Sequence, residues 1–323
     1  MKERTPLIEV NQLKKYFGDS SSIFKRNKTV VKAVDGVSFK IGKGETFGLV
    51  GESGSGKSTI GRSILRLHSI TSGEVKYNGY SLHHLPKQEM RNLRPKLQFI
   101  FQDPFSSLNP RLRIGDAIGE ALLDHGLCSK TEVKSKVLEV LEICGLASYH
   151  YDRFPHEFSG GQRKRIGIAR AIILEPDFIV ADEPVSALDV SIQAQIINLF
   201  KELQKEKDIT FLFISHDLSV VEHLCSKIGV LYLGSMMELA SRDQLYGNPL
   251  HPYTKALLSA VPIPDPALKR ERIILKGDIP NPANPPKGCK FHTRCPLAQD
   301  ICRVEVPEFR EIEDQHYVAC HLV

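Results

Sequence analysis

A glycine-rich loop with a lysine and adjacent hydroxyl residues, GESGSGKST at residues 51–59, is the stretch of this chain whose chemistry is most specific. It follows the short apolar run Thr46–Val50 and precedes a helical pattern from Thr59 to Leu67. Strand, glycine-rich loop and helix in this order are the setting of a phosphate-binding loop. Glycines let backbone N–H groups turn inward, and the helix N-terminus directs positive partial charge to the same point. The sequence therefore predicts a phosphate site, and the alternative is a flexible loop before an ordinary helix.

The side chains of this loop divide between phosphate and metal. Lys57 is expected to reach the β- and γ-phosphates, and the Ser58 hydroxyl is expected to ligate Mg²⁺. The predicted phosphate-binding set comprises Gly51, Glu52, Ser53, Gly54, Ser55, Gly56, Lys57, Ser58 and Thr59. A loop of this type requires acidic partners elsewhere in the chain.

Two adjacent carboxylates follow the buried-strand pattern Phe178–Ala181. Asp182 is expected to hold Mg²⁺, directly or through water, as the acid after an apolar strand does in phosphate-loop enzymes. Glu183 is expected to orient or deprotonate the attacking water. The alternative, a pair of solvated turn residues, is disfavoured by the phosphate loop upstream.

Polar residues also end two further predicted strands. Gln102 follows the strand pattern Leu97–Phe101, and His216 follows Ile209–Ser215. The ends of neighbouring strands meet where ligands bind in a nucleotide-binding sheet. We therefore expect Gln102 to contact the metal or its water and His216 to donate to a γ-phosphate. Both residues also have a plain structural interpretation, as a loop glutamine and a strand-end histidine.

A second anion site is indicated by Ser159, Gly160, Gly161 and Gln162, which open a helical pattern from Arg163 to Leu174. A chain with only one phosphate loop would not need a second anion site for its own nucleotide. The second site is explained if it serves the nucleotide of another copy. Asp189 ends the following turn, Ser186–Asp189, and is a candidate to brace an interface. Tyr16 is a candidate to stack on a flat base, and the alternative is a half-buried strand aromatic.

The elements that must position these residues alternate between strands and helices. Strands are predicted at 7–10, 34–41 and 73–77, the last followed by an Asn78-Gly79 turn, and the polar stretch Gly18–Lys28 is predicted as a loop. From about 104 to 157 the pattern is helical, with helices over 114–122 and 133–143. A helical insertion between strands predicts an α/β domain with a separate helical subdomain that can move against the sheet.

Composition restricts the class of protein. The 323 residues are 41% hydrophobic and 25% charged, with a net charge of +5, as in globular proteins with an ordinary solvated surface. The sequence has no stripe of interleaved basic and aromatic residues, so nucleic-acid binding is not predicted. No apolar run is long enough to span a bilayer, and residues 1–6 do not resemble a secretory signal. We expect a cytosolic chain that attaches to a membrane only through a partner.

The C-terminal segment is rich in proline after about residue 247. Pro252 is expected to start a helix over 253–260, and the rest is predicted to be loop-rich with little core of its own. Four cysteines could clip it together: Cys289, Cys295, Cys302 and Cys320. A [4Fe–4S] cluster, a Zn²⁺ site and two disulfides are the three alternatives. His292, His316 and His321 are substitute ligands or, more simply, surface residues, and Cys128, Cys144 and Cys225 are expected in the core.

Together these motifs resemble the ATP-binding subunit of ATP-binding-cassette (ABC) transporters over about residues 7–245. Residues 51–59 match its Walker A motif, Gln102 its Q-loop, and residues 158–162 its signature, with Phe158 where leucine is usual. Residues 178–182 match Walker B with Glu183 after it, residues 186–189 the D-loop, and His216 the switch histidine. Tyr16 falls where the family has its adenine-stacking aromatic residue.

Three further stretches are similar to the oligopeptide/dipeptide importer branch, and most similar to its F-type ATPase. They are QDPFSSLNPR at 102–111, NPLHPYTKALL at 248–258 and CKFHTRCP at 289–296. Nickel and other small-solute importers share much of this pattern. A soluble ABC ATPase without a transport role is the more distant alternative.

The resemblance implies a phosphate-loop NTPase core sheet, an antiparallel β subdomain, a helical subdomain at about 104–175, and a small C-terminal cysteine-containing extension. The domains implied are 1–247 for nucleotide binding and 248–323 for the extension. Glu183 and His216 would be catalytic, and Ser58, Gln102 and Asp182 would hold Mg²⁺. Among the three readings of the four C-terminal cysteines, the resemblance favours the [4Fe–4S] cluster.

The resemblance also implies an assembly. Two ATPase subunits would hold two ATP molecules head-to-tail, so that Ser159–Gln162 of one chain meet the nucleotide of the other. The second subunit would be a D-type paralogue. Two transmembrane permease subunits would complete the transporter at the cytoplasmic face of the membrane, and an extracytoplasmic peptide-binding protein would deliver the di- or oligopeptide.

Overall fold

The computed structural model describes residues 6–18, 30–103, 108–262 and 272–323. Residues 104–107, within one of the branch-specific stretches, and most of the predicted loop 18–28 lie outside these ranges, as do residues 263–271. Within the described ranges, no helix combines the length and the apolar character needed to cross a lipid bilayer.

Strands of the described residues form two sheets. They are β1 Pro6–Phe17, β2 Val31–Gly42, β3 Thr46–Val50, β4 Ser72–Tyr77, β5 Tyr80–Ser81, β6 Leu97–Ile100, β7 Phe178–Asp182, β8 Thr210–Ser215, β9 Lys227–Tyr232, β10 Ser235–Ser241, β11 Arg310–Glu313 and β12 His316–Val318. The larger sheet has the order β11-β12-β10-β9-β3-β8-β7-β6, and the smaller has the order β2-β1-β4-β5. The strands predicted before the first helix are therefore confirmed, with β1 and β2 in the smaller sheet and β3 in the larger.

Helices fill the intervals between these strands. The α-helices are α1 Lys57–Ile64, α2 Lys87–Leu93, α3 Ile114–Asp124, α4 Val133–Ile143, α5 Gly160–Ile172, α6 Val190–Lys207, α7 Leu218–Leu224, α8 Arg242–Gly247, α9 Pro252–Ser259 and α10 Asp300–Val304. The predicted insertion contributes α3 and α4, which pack on each other and on α5. The helices predicted within the insertion are thus confirmed.

The central strands of the larger sheet are parallel and buried on both faces. β6, β7, β8 and β3 pair in parallel, and β9 pairs in parallel with β3. Side chains of a strand alternate between faces, so Phe211 and Phe213 of β8 join one hydrophobic core while Leu212 and Ile214 join the other. Because the strands run in one direction, their carboxyl ends meet at one edge, where a ligand site is expected.

The smaller sheet is antiparallel and covers one of these cores. Its β1 pairs with β2 and β4, and β4 turns back into β5 through Asn78 and Gly79, whose φ angles are 48° and 80°. Two successive residues with positive φ are typical of the type I′ hairpin turn. The predicted Asn-Gly turn is therefore confirmed, and it makes a β subdomain around β1.

The C-terminal segment does not fold apart from the rest. Its β12 adds to the larger sheet beside β10, and Phe291, 1% exposed, lies in the same core as the helices. Pro252 starts α9 as predicted, and the segment, expected to have little core of its own, shares the core of the main domain. His316, expected at the surface, is fully buried with its Nε2 2.8 Å from Glu238 Oε1.

Candidate nucleotide-binding site

Two positions in the loop between β3 and α1 can be occupied only by glycine. Gly51 has a φ of 147°, and a Cβ on it would lie 2.1 Å from the Leu231 carbonyl oxygen. Gly56 has a φ of 104°, and its Cβ would lie 2.2 Å from the Ala33 carbonyl oxygen. Side chains are excluded by both the backbone conformation and the space. The result is a bare, concave backbone of the kind that binds phosphate.

Lys57 lies within this concave loop. Its Nζ donates to the carbonyl oxygens of Gly51 at 2.7 Å and Glu52 at 2.9 Å. Lys57 is only 5% exposed, and burial lowers the pKa of its ammonium group, with Glu183, Asp182 and Glu52 acting in the opposite direction. The ammonium group thus sits among three carboxylates and faces the bare loop, where a phosphate group would be stabilised.

The helix after the loop begins at Lys57, two residues before the predicted start, and ends at Ile64 instead of Leu67. Its N-cap is Gly56, which supplies no side-chain cap, so the first-turn N–H groups are not satisfied by a capping side chain. Ser58 and Thr59 therefore lie in the first turn. Such a helix start is suited to an anion.

Ser58 and Asp182 meet across the site although 124 positions separate them. The Ser58 hydroxyl donates to Asp182 Oδ1 at 2.7 Å. Asp182 is 1% exposed, and its Oδ2 is buried without a hydrogen-bond partner. Burial raises the pKa of this carboxyl group, which the Ser58 hydrogen bond partly offsets. An unpartnered carboxylate oxygen beside a hydroxyl group is a donor set that fits Mg²⁺.

Glu183 is held between the two strand-end residues that the sequence singled out. Gln102 Nε2 donates to Glu183 Oε2 at 2.8 Å, and His216 Nδ1 lies 3.2 Å from Glu183 Oε1. The backbone of Glu183 has a φ of 47°, and its N–H donates to the Ile214 carbonyl at 3.0 Å. The structure therefore brings together Gln102, Glu183 and His216 from the ends of three neighbouring strands.

Lys164 is a residue of this site that the sequence did not single out. Its Nζ donates to the carbonyl oxygens of Gln102 and, at 3.3 Å, of Glu183. Lys164 lies in α5 and is 5% exposed, and burial lowers the pKa of its ammonium group. Its position in an ordinary basic helix gives no sequence signal of a functional site, because only the tertiary fold brings α5 to the strand ends.

The Ser159–Gln162 turn begins α5. The Ser159 N–H donates to Gln162 Oε1 at 3.0 Å, and the Gln162 N–H donates to Ser159 Oγ at 3.3 Å, which makes a reciprocal capping box. α5 begins at Gly160, three residues before the predicted start. A Cβ on Gly161 would lie 2.7 Å from the Ile192 side chain, so α5 packs closely on α6.

Asp189 and Tyr16 have structural contacts beside their predicted roles. Asp189 caps α6 by accepting from the Ile192 N–H at 2.9 Å. Tyr16 is half-buried in β1, and its hydroxyl donates to Asp35 Oδ1 at 2.5 Å. Burial, then that hydrogen bond, raises the pKa of Tyr16 to about 12. The interface role of Asp189 and the stacking role of Tyr16 stay predictions.

Arg294, in the C-terminal segment, is a further residue that sequence reasoning missed. Its guanidinium group contacts the carboxylate of Glu52 in the phosphate loop, at 2.6 and 3.0 Å. Tyr253 also reaches this loop, because its hydroxyl accepts from the Glu52 N–H at 3.0 Å. No local pattern could indicate either contact, since more than 200 positions separate the partners.

The prediction of a [4Fe–4S] cluster on Cys289, Cys295, Cys302 and Cys320 is wrong. All four lie in the described part of the chain, where no group of three or more His, Cys, Asp and Glu is arranged to hold a metal ion. The same finding removes the Zn²⁺ alternative, and all four cysteines are free, which removes the disulfides.

The thiols are packed inside the protein instead: Cys289, Cys302 and Cys320 are buried and Cys295 is partly buried. Burial raises the pKa of Cys289 to about 11 and also raises those of Cys295 and Cys320. Metal ligation requires the thiolate, whereas a protonated thiol behaves as a small apolar group. These residues therefore pack. Cys144 and Cys225 are buried as expected, and Cys128 is partly buried.

Comparison with known proteins agrees with this geometry. A family model described as "ABC transporter" matches residues 34–186, and one described as "Oligopeptide/dipeptide transporter, C-terminal region" matches residues 237–302. The dimeric structure of a post-hydrolysis state of the ATP-binding cassette MJ0796, bound to ADP and Pi, has a TM-score of 0.65 with this chain at 28% identity. That similarity covers 73% of this chain and 98% of that one.

Two relatives match over almost the whole length. The oligopeptide transport ATP-binding protein AppF of Bacillus subtilis is 55% identical, covering 98% of this chain and 97% of its own. The putative oligopeptide transport ATP-binding protein YkfD of the same organism is 57% identical, covering 99% and 96%. The chain therefore belongs to the ATP-binding subunits of ABC transporters, within the group of oligopeptide transport ATP-binding proteins.

Proposed function

We propose that this chain is the ATP-hydrolysing subunit of an importer for di- or oligopeptides. The observation that carries the proposal is the match over 98% of the chain to a relative named for oligopeptide transport, together with the peptide-transporter C-terminal region at 237–302. The site described above supplies the chemistry that such a subunit needs.

ATP binding is assigned to the loop and to the acid after β7. The backbone of residues 51–56 cradles the phosphates, and Lys57 neutralises charge on the β- and γ-phosphates. Ser58 and Asp182, with Gln102, hold Mg²⁺, which supplies positive charge to the terminal phosphates when bound. The buried, unpartnered Asp182 Oδ2 supports this assignment.

Hydrolysis is assigned to Glu183. Its carboxylate orients the attacking water and accepts its proton, while the oxygen of that water forms a bond to the γ-phosphorus and the bond to ADP breaks. Gln102 Nε2 lies 2.8 Å from one oxygen of this carboxylate and His216 Nδ1 lies 3.2 Å from the other, which supports a fixed orientation of Glu183. We assign the sensing of the γ-phosphate to His216, whose side chain is exposed. The products of the reaction are ADP and phosphate.

The second subunit completes the site. Ser159–Gln162 present a helix N-terminus that we assign to the ATP held by the other ATPase subunit, for which a D-type paralogue is proposed. ATP moves the assembly only if it binds the closed pair more tightly than the open pair. We propose that this motion, through the helical subdomain, drives two permease subunits at the cytoplasmic face, with a peptide-binding protein on the outer side.

Peptide uptake by the reconstituted transporter tests this function. Proteoliposomes that hold the complete transporter would be loaded with Mg-ATP and given labelled oligopeptide or labelled Ni²⁺. We expect ATP-dependent uptake of peptide, and its loss in Lys57→Ala, because phosphate binding loses its main cation. A transporter that takes up Ni²⁺ but not peptide, or that takes up peptide equally well with Lys57→Ala, would refute the proposal.

A further inference from the structure

The C-terminal segment contacts the phosphate loop through a partly buried charge pair. Arg294 Nη1 and Nη2 donate to the two oxygens of Glu52 at 2.6 and 3.0 Å. The Arg294 side chain is 8% exposed and that of Glu52 is 27% exposed. A two-pronged guanidinium–carboxylate contact fixes orientation as well as distance, and a lysine could not reproduce it.

A tyrosine from the same segment contacts the backbone of the same residue. The Tyr253 hydroxyl accepts from the Glu52 N–H at 3.0 Å. Tyr253 is fully buried, and its ring packs against Tyr232 at 4.9 Å and Phe291 at 5.2 Å between centroids. Because Tyr232 and Phe291 are each 1% exposed, this aromatic cluster holds the hydroxyl in place beneath the loop.

Glu52 is consequently held at each of its polar groups. Its carboxylate contacts Arg294, its N–H contacts Tyr253, and its carbonyl oxygen accepts from Lys57 Nζ at 2.9 Å. Two of these three partners come from the C-terminal segment. The third is the lysine assigned to the phosphates, so a shift of Glu52 would also shift the lysine's surroundings.

A second contact connects the same segment to Asp35 of β2, the hydrogen-bond partner of Tyr16. Lys290 Nζ donates to Asp35 Oδ2 at 3.0 Å and to Ser235 Oγ at 2.7 Å. Asp35 in turn accepts from the Tyr16 hydroxyl through its other oxygen. Residues 290–294 therefore contact both the phosphate loop and the neighbourhood of the aromatic residue assigned to adenine.

We propose that Arg294 and Tyr253 are positioning residues for the phosphate loop and that the C-terminal segment sets ATP affinity through Glu52. The inference rests on the proposed function of residues 51–59 in binding ATP. A segment that served only packing would need apolar contacts alone. Here two of its polar contacts, those of Arg294 and Tyr253, are directed at the carboxylate and the N–H of one loop residue.

A double-mutant cycle on the full-length chain tests the charge pair. Binding of Mg-ATP would be measured for the parent, Arg294→Ala, Glu52→Ala and the double variant, with Arg303→Ala as the control. Arg303 is an exposed arginine of the same segment. We expect Arg294→Ala to weaken Mg-ATP binding about tenfold, equivalent to about 1.4 kcal/mol. The double variant should be no weaker than either single one, because both changes break the same contact.

Two further variants keep the test decisive if Arg294→Ala folds poorly. Arg294→Lys preserves the positive charge but not the bidentate guanidinium contact. It should bind Mg-ATP more tightly than Arg294→Ala and less tightly than the parent. Tyr253→Phe preserves the aromatic packing, removes only the acceptor, and should weaken binding about threefold, the fold-change for a lost neutral hydrogen bond. Both should raise the KM for ATP more than they lower kcat, at an unchanged unfolding midpoint.

The inference is overturned if folded Arg294→Lys and Tyr253→Phe bind Mg-ATP like the parent. Additive effects in the cycle would equally overturn it, because Arg294 would then not act through Glu52. Failure of the ATP-binding role on which the inference rests would look different, since the parent itself would then not bind Mg-ATP at all.

Discussion

At the scale of single residues, the site is defined by side chains held in unusual places. Glu183 has a positive φ of 47°, a conformation that costs about 1–3 kcal/mol for a residue other than glycine. That backbone carries its carboxylate to a point between Gln102 and His216. The strained conformation therefore coincides with the residue that the sequence assigned to catalysis, which supports the assignment.

His251 is also a side chain held in an unusual place, and its burial affects the stability of the fold. It is 1% exposed, its Nδ1 accepts from the Tyr253 N–H at 3.0 Å, and burial lowers its pKa to about 3. In the unfolded chain a histidine has a pKa of about 6.5. Between these values the unfolded state binds a proton that the folded state does not, so the stability contributed is lost as the pH falls below about 6.5.

We predict that His251→Asn flattens the pH dependence of stability. Asparagine retains an acceptor for the Tyr253 N–H and does not titrate. Between about pH 6.5 and 5, the free energy of unfolding should fall by about 2 kcal/mol more in the parent than in the variant. Urea titrations at several pH values measure the difference, and shared carboxylates cancel in it. Equal pH slopes for the two proteins would contradict the burial argument.

At the scale of elements, the strands and the polar residues at their ends were predictable from the sequence. Apolar runs that end in Gln102, Asp182 and His216 predicted three neighbouring strand ends, and the structure has them at β6, β7 and β8. This works because buried parallel strands are continuous apolar runs, and their polar ends face the site.

The helix starts were predicted less well. α1 and α5 begin two or three residues earlier than their apolar periodicity, at Lys57 and Gly160. Their first turns carry glycine and polar residues, so the hydrophobic pattern starts later in the sequence than the helix itself.

The C-terminal segment was the least predictable element. Its prolines and cysteines indicated a loop-rich appendage with its own clip, whereas β12 extends the larger sheet and Phe291 joins the main core. Spacing of cysteines carries no information on thiol burial, which decides their protonation. Contacts such as that of Arg294 with Glu52 depend on the tertiary fold, not on local pattern.

Glu238 of β10 anchors this element in place of a metal clip. It is fully buried and accepts from the Leu250 and His251 N–H groups at 2.8 and 2.9 Å. It also lies 2.8 Å from Nε2 of the buried His316. One carboxyl group thus accepts hydrogen bonds from the backbone that enters α9 and contacts the imidazole of His316 in β12.

We predict that Glu238→Ala lowers the free energy of unfolding by about 3 kcal/mol, because it leaves two buried N–H groups and an imidazole without a partner. Chemical denaturation measures the change. Limited proteolysis should then cut preferentially after about residue 247, as the segment loosens. The control is Glu308→Ala, at an exposed position of the same segment. A parental denaturation midpoint in Glu238→Ala would show that the anchor lies elsewhere.

At the scale of the whole molecule, the two turns that the sequence predicts to bind anions lie in different surroundings. Residues 51–59 surround Lys57 and the acids of the site, while Ser159–Gln162 begin a helix packed on α6. A solved relative of this fold is described as a dimer bound to ADP and Pi. Under the proposed function, each site of the working pair would be completed by the Ser159–Gln162 turn of the other subunit.

Glu183→Gln gives access to that closed state. The variant keeps the size of the side chain and one acceptor oxygen but cannot accept a proton. We expect ATP turnover to fall by about 10²- to 10⁴-fold, the usual contribution of a general base, while Mg-ATP binding is retained. The nucleotide-bound pair should therefore accumulate.

A structure of the complete transporter carrying Glu183→Gln, determined with Mg-ATP, tests the central claim most directly. We predict ATP held by residues 51–59 of one ATPase subunit, with the Ser159–Gln162 turn of the other within hydrogen-bond distance of the γ-phosphate. A fully assembled, ATP-bound transporter in which that turn faces open solvent, far from any triphosphate, would contradict the account.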